Sequence, residues 1–240
     1  MNLGIMQPYF FPFIGYFQLM NQVNTWVILD DVQFVNKGWV NRNRILHPDH
    51  QKEWQYITLP IDRRHRFINI KNIKLKDHSW KTAVLRKLAV YKKNAPYYTE
   101  TIDFLESLFD KLQTLNLSKI LEESLKTTAC LLGITPSFYK QSELPDFSGS
   151  VGHPGQWALR ISEYFRASTY INPEGGAEIF REYEFKKSNI NLKFFRPNIA
   201  HYDQNRHNFI PRLSIIDIIM WNGLYETQKM AKIDSGILSS

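Results

Sequence analysis

The first thirty residues constrain the fold more than any other stretch of this 240-residue chain, because two apolar strand patterns there enclose one helical pattern. Residues 3–6 read as a short strand. Residues 15–23 read as a helix with Phe17, Met20 and Val23 three apart, and residues 25–29 as a continuous apolar strand buried on both faces. That succession is a βαβ unit. Its right-handed crossover brings the C-terminal ends of both strands to one edge of an open sheet. Gln7-Pro8-Tyr9 and Asp30-Asp31-Val32-Gln33 are therefore expected to meet at the crevice where such sheets take ligands. The expected class is α/β with a Rossmann-like parallel core.

Alternating apolar residues over 56–61 and 67–75, separated by the turn-like Asp62-Arg63-Arg64-His65-Arg66, predict an antiparallel β insertion. Ser79 is the expected N-cap of a helix reaching about residue 93. Ile102, Leu105, Phe109 and Leu112 mark a second helix, and Leu121, Leu125 and Leu132 a third that closes at Gly133, so residues 80–135 read as a helical insertion in one domain spanning 1–240. Cys130, within an apolar run, reads as a packed thiol. Residues 145–155, rich in Asp, Ser, Gly and Pro, read as a surface loop able to act as a lid. Beyond it come a helix over 157–166, strands over 169–171 and 190–194, and a helix over 213–221 with Ser214 as N-cap and Asp217 at capping-box spacing.

An aromatic content of 14% excludes disorder, since such side chains exist to be buried. The formal charge of +7, from 30 Lys and Arg against 23 Asp and Glu, favours an anionic small-molecule partner, a nucleotide or nucleotide-sugar. The basic residues between 63 and 93 lack any accompanying RNA- or DNA-binding module, so they read as a solvated face and no nucleic-acid partner is expected. No apolar run approaches the roughly 18 residues of a membrane span, and the start lacks the pattern of a secretory signal, so a cytoplasmic protein is expected. The seven histidines show no metal-ligand spacing, and the sequence names neither a cofactor nor an oligomeric state.

Candidate functional residues concentrate near the N-terminus. Lys37-Gly38-Trp39-Val40-Asn41-Arg42-Asn43-Arg44 packs donors around one aromatic ring. Lys37, Arg42 and Arg44 suit phosphate or carboxylate, Asn41 suits a sugar hydroxyl, and Trp39 offers a stacking face; a solvated charged loop is the alternative. Gln7, Tyr9 and Gln33 lie at the two strand tips. Adjacent Asp30 and Asp31 should point to opposite faces, one serving the site as base and the other making a structural bond. Phe13-Ile14-Gly15-Tyr16 occupies the place of the His-x-Gly-His tetrad of nucleotidyl-transfer enzymes, with only the glycine equivalent. Further along, His153 in the glycine-rich loop is the acid/base candidate, Asn172, Gly175 and Gly176 form a turn that allows close ligand approach, and Tyr202 and Gln204 add polar contacts.

The N-terminal words from Met6 to Phe17, Asp30-Asp31-Val32-Gln33-Phe34, the Lys37 to Arg44 octet and Leu213-Ser214-Ile215-Ile216-Asp217 resemble those of the WbqC-like protein family over almost the whole chain. The Asn172 to Gly176 turn and Tyr202-Asp203-Gln204 fit the same pattern. The resemblance implies a bacterial protein of the kind found among genes for O-antigen and other surface polysaccharides, and implies no particular reaction. Residues and resemblance together suggest a transferase (acyl, aminoacyl or nucleotidyl) acting on a nucleotide-activated or amino sugar. The alternative is a non-catalytic sugar or nucleotide-sugar binding protein of a biosynthetic complex.

Overall fold

Residues 25–28 are buried at every position, which is why they form the second strand of a sheet covered on both faces. The computed structural model describes residues 1–62, 68–147, 149, 151–233 and 236–239. In chain order the elements are β1 (Asn2–Met6), α1 (Ile14–Met20), β2 (Thr25–Ile28), β3 (Arg42–Leu46), β4 (Trp54–Thr58), α2 (Trp80–Leu88), α3 (Tyr98–Lys111), α4 (Leu117–Leu131), β5 (Ser137–Lys140), α5 (Gln156–Tyr164), β6 (Thr169–Pro173), α6 (Glu182–Lys187), β7 (Asn191–Phe195), α7 (Ile215–Lys232) and β8 (Ile237–Ser239).

The main sheet has the spatial order β5-β2-β1-β6-β7-β8. Its first five strands are parallel and β8 runs antiparallel to β7. Ranked by chain position, the parallel strands run third, second, first, fourth, fifth, the doubly wound order, and the direction of travel reverses between β1 and β6. A separate antiparallel pair, β3 and β4, aligns Arg44 with Tyr56.

The two faces of the sheet carry separate cores. Leu3, Ile5 and Val27 pack with Leu159, Ile161 and Phe185 from α5 and α6. Trp26 and Ile28 face the other way, toward Phe17 and Met20 of α1 and the helical middle. Burial of each large side chain contributes about 2–3 kcal/mol. Gly4 makes room for this core: a Cβ there would lie 2.8 Å from the Trp26 ring, which lies across β1. Among the described residues no helix is long and apolar enough to cross a membrane.

Several local expectations change. The antiparallel partner of β4 is β3, and the segment after the turn pairs antiparallel beyond β4, where Ile61 bridges Leu75; Arg63 to Phe67 lie outside the described residues, and Ile70–Asn72 is a 3-10 turn. Its amides go to the strand tip instead, from Ile70 to the Val32 carbonyl (3.0 Å) and from Lys71 to that of Asp30 (2.9 Å). Ser79 stands at the start of α2, but its side chain caps nothing; Asp77 Oδ1 accepts from the Ser79 amide at 2.8 Å. Cys130 is exposed rather than packed, because the buried stripe of α4 runs through Leu121, Leu125, Thr128 and Ala129 and leaves position 130 on the solvent side. Gly133 (φ 69°) ends that helix as expected.

Candidate functional site

Three chain segments are clasped together at the carboxyl edge of β1. The Asn43 side chain, on the inward face of β3, donates to the carbonyls of Phe10 (3.1 Å) and Phe11 (2.7 Å). Ser214 Oγ donates to the same Phe11 carbonyl at 2.8 Å, while the Ser214 amide donates to the Arg44 carbonyl at 2.8 Å. Ser214 also caps α7 by accepting from the Ile216 amide. Phe11, Lys37 and Arg212 are held in left-handed backbone (φ 42°, 62° and 58°), a conformation that needs such external ties and that clusters at functional sites.

The clasp frames a hollow of about 320 Å³ on the α1 face. Tyr9, Tyr16, Trp39 and Phe195 give it aromatic walls, and Arg44 and Arg212 give it charge. The Arg44 guanidinium lies 5.4 Å from the ring centroids of both Trp39 and Trp54, and its Nη2 donates to the Arg212 carbonyl at 3.3 Å. Its Nε is shielded from solvent with no hydrogen-bond partner among the described residues. Burial pushes the Tyr9 and Tyr16 phenols up, the latter well above the usual range, so both stay neutral; the Tyr16 hydroxyl donates to the Gln7 carbonyl at 2.9 Å. Gly15 serves packing here: a Cβ would meet the Phe13 ring at 2.4 Å and Pro197 at 2.6 Å.

A second hollow of about 330 Å³ opens on the α5 face of the same edge. The two share Met6, Tyr9 and Pro173, the tips of β1 and β6, so the crevice at the reversal of strand order opens to both faces of the sheet. Gln7, Asn172, Gly175 and Gly176 line the second hollow with Trp157 and Phe180. Asn172 is committed to the fold, accepting from the Tyr170 hydroxyl (2.8 Å) and donating to the Pro173 carbonyl (2.8 Å). His153 neighbours Pro154 of the rim and is tied to α6, its Nε2 3.0 Å from a Glu184 oxygen, with Gln156 donating to Glu184 at 3.0 Å.

The remaining sequence candidates stand elsewhere. Asp30 is 1% exposed and accepts from Ser118 Oγ (2.7 Å), Ser142 Oγ (2.9 Å) and the Ser142 amide (3.0 Å). Asp31 points away from it, to Lys71 Nζ (2.9 Å) and Asn69 Nδ2 (2.9 Å). Both aspartates are thus outside the lining of either hollow. Gln33 is exposed and bridges Asn69. Arg42 stacks on Tyr56 (4.1 Å) and donates to the Gly38 (3.1 Å) and Lys37 carbonyls, which shapes the loop that presents Trp39; Lys37 itself is exposed. Asn41 donates to the Leu59 carbonyl at 2.9 Å. Tyr202 and Gln204 surround Asp217, which is fully buried and bonds Tyr91 and Tyr202 (2.6 and 2.5 Å) instead of closing a capping box.

Sequence reasoning missed Arg212, Asn43 as clasp, and Trp157. The inward positions of β3, residues 43 and 45, follow a two-residue alternation that would have marked Asn43. Nothing local marks the other two.

Strand order and the two-sided crevice define an α/β protein of the Rossmann type. The chain belongs to the WbqC-like protein family, whose profile matches residues 7–229. It is 26% identical over 220 residues to the uncharacterized protein Rv1507c of Mycobacterium tuberculosis, covering 91% of this chain and 92% of that one. No solved structure matches the chain.

Proposed function

We propose that the protein is a cytoplasmic transferase of surface-polysaccharide biosynthesis that binds a nucleotide-activated sugar in the hollow on the α1 face. The supporting observation is the pairing of Arg44 with Arg212 in a hollow whose described lining has no carboxylate. Two like charges so placed repel each other until an anion is taken up, and among the described residues the shielded Arg44 Nε has no acceptor. A diphosphate matches the guanidinium forks, and Trp39 supplies a face for the base or sugar ring. Gln7 and the Gly175-Gly176 turn serve the acceptor side, with His153 and its Glu184 partner as the adjacent acid/base pair. Lys37 and Arg42 act through the loop that carries Trp39.

One observation favours the non-catalytic reading: among the described residues lining the two hollows there is no Asp, Glu or His. Binding without turnover on activated-sugar, acyl and aminoacyl donors would decide for it.

The test is a thermal-shift screen against UDP, CDP, GDP and their sugar conjugates. At a ligand concentration near 100 times Kd the gain is about 2.7 kcal/mol, which raises the melting temperature by several degrees. Arg44→Ala should weaken the best ligand at least about tenfold, the loss of roughly one charge-assisted pair. A screen with no shift, or an equal shift in Arg44→Ala, rejects this reading.

A further inference from the structure

The two hollows differ in charge although they meet at three residues. The α1-side hollow carries two guanidinium groups, whereas no charged side chain is among the described residues that line the α5-side hollow. We infer that the α5-side hollow is a separate subsite for an uncharged sugar ring, the acceptor, seated against Trp157 and hydrogen-bonded by Gln7; this rests on the reading of the other hollow as the donor site.

Three observations carry the inference. The walls are built as small-molecule sites are, from aromatic and apolar faces with few polar groups. Trp157, Tyr170, Phe180 and Ile179 supply the faces. An indole suits a pyranose ring, offering an apolar plane and one donor. The polar groups then divide into spent and free. Asn172 and the Tyr170 hydroxyl are bonded to each other. Among the described residues, the side-chain amide of Gln7 and the indole N–H of Trp157 have no hydrogen-bond partner. Gln7 thus presents both a donor and an acceptor to the hollow, the combination that vicinal hydroxyls or an N-acyl group require. Finally, the floor is kept open. Gly175 lines the hollow, and a Cβ there would meet nothing within 4 Å, so the space beside it is unfilled by the protein and packing does not demand glycine.

An uncharged lining also sets specificity. Carrying a carboxylate or an ammonium into a hollow with no counter-charge costs desolvation without return. N-acetylglucosamine should therefore bind better than either glucuronate or protonated glucosamine. The pair of subsites places a donor and an acceptor on opposite faces of the sheet edge, in contact over Met6, Tyr9 and Pro173.

The experiment is ligand-observed saturation-transfer NMR and calorimetry on the whole chain with two probes, UDP and N-acetylglucosamine, alone and together. Both probes should bind at once. Trp157→Ala and Gln7→Ala should each weaken N-acetylglucosamine at least fivefold and leave UDP within twofold, while Arg44→Ala should do the reverse. Trp157→Phe, which preserves an aromatic face, should retain most of the sugar affinity and controls for misfolding. The inference is overturned, with the donor reading intact, if UDP binds as expected but the sugar does not bind, competes with UDP, binds no better than glucuronate and glucosamine, or is indifferent to Trp157 and Gln7. Failure of UDP itself to bind, or to depend on Arg44, overturns the donor reading and the inference with it.

Discussion

Asp217→Ala is expected to destabilise the protein by about 3–4 kcal/mol, the loss predicted when several buried donors lose their acceptor together. Asp217 is fully buried in the first turn of α7, where the hydroxyls of Tyr91 (2.6 Å) and Tyr202 (2.5 Å) and the Gln204 amide (3.2 Å) all donate to it. Gln204 in turn holds both backbone groups of Ile210, so the cluster fixes the loop that delivers Arg212 to the hollow. Urea unfolding measures the loss directly, and a cost below about 1 kcal/mol would show that the cluster does not bear on stability.

The same group gives the fold a pH dependence of definite sign. Burial pushes the Asp217 carboxyl up to about 6 from an ordinary 3.8, against the opposing hydrogen bonds from Tyr202, Tyr91 and Gln204 and the charge of Arg206. The folded state therefore holds the proton more tightly than the unfolded chain. The resulting stabilisation is complete below about pH 4 and is lost as the pH rises through 6, on the order of 3 kcal/mol in all. Asp217→Asn lacks this titration. The stability of the native chain relative to Asp217→Asn should fall by that amount between pH 4 and pH 7, and parallel curves would contradict it.

Asp30→Ala should cost about 3 kcal/mol while leaving nucleotide affinity per folded molecule unchanged. Its carboxylate joins the end of β2 to Ser118 at the start of α4 and to Ser142 in the turn after β5, three elements far apart in sequence. Loss of the acceptor strands two hydroxyls and one amide in the interior. Denaturation midpoints and UDP titrations on the same preparations separate this role from that of a general base. An Asp30→Asn variant of native stability that binds UDP normally yet loses all transfer activity would contradict the structural assignment.

Asp30 and Asp31 follow a strand tip, the place where open parallel sheets bring site residues. Their place at a strand tip and their divergence to opposite faces followed from strand geometry, and the structure has Asp30 and Asp31 on different partners. What no local pattern held was the identity of those partners, Ser118, Ser142 and Lys71, which arrive from remote helices and turns. The opening βαβ unit was legible because a run buried on both faces has few alternatives. β5, only four residues long and half exposed, offers no such signal. In the segment up to residue 75 the expected antiparallel pairing is present where Leu75 bridges Ile61, whereas Ile68 and Ile70 alternate as a strand does but the amides of Ile70 and Lys71 turn back to the β2 tip. In β3 the charges of Arg42 and Arg44 masked a true alternation with inward Asn43 and Ile45. The crevice between β1 and β6 depends on strand order, a property of the assembled sheet, so Arg212 and Trp157 became visible only with it.

The proposed binding mode sets an anionic nucleotide at the β1 and β6 tips, on the α1 face, held by Arg44 and Arg212. A crystal structure of the complex with UDP tests it most directly. Diphosphate oxygens should lie within hydrogen-bond reach of both guanidinium groups, with a ring beside Trp39. Density for the nucleotide on the basic surface between residues 71 and 93, with the hollow beside Tyr9 holding only solvent, would contradict it.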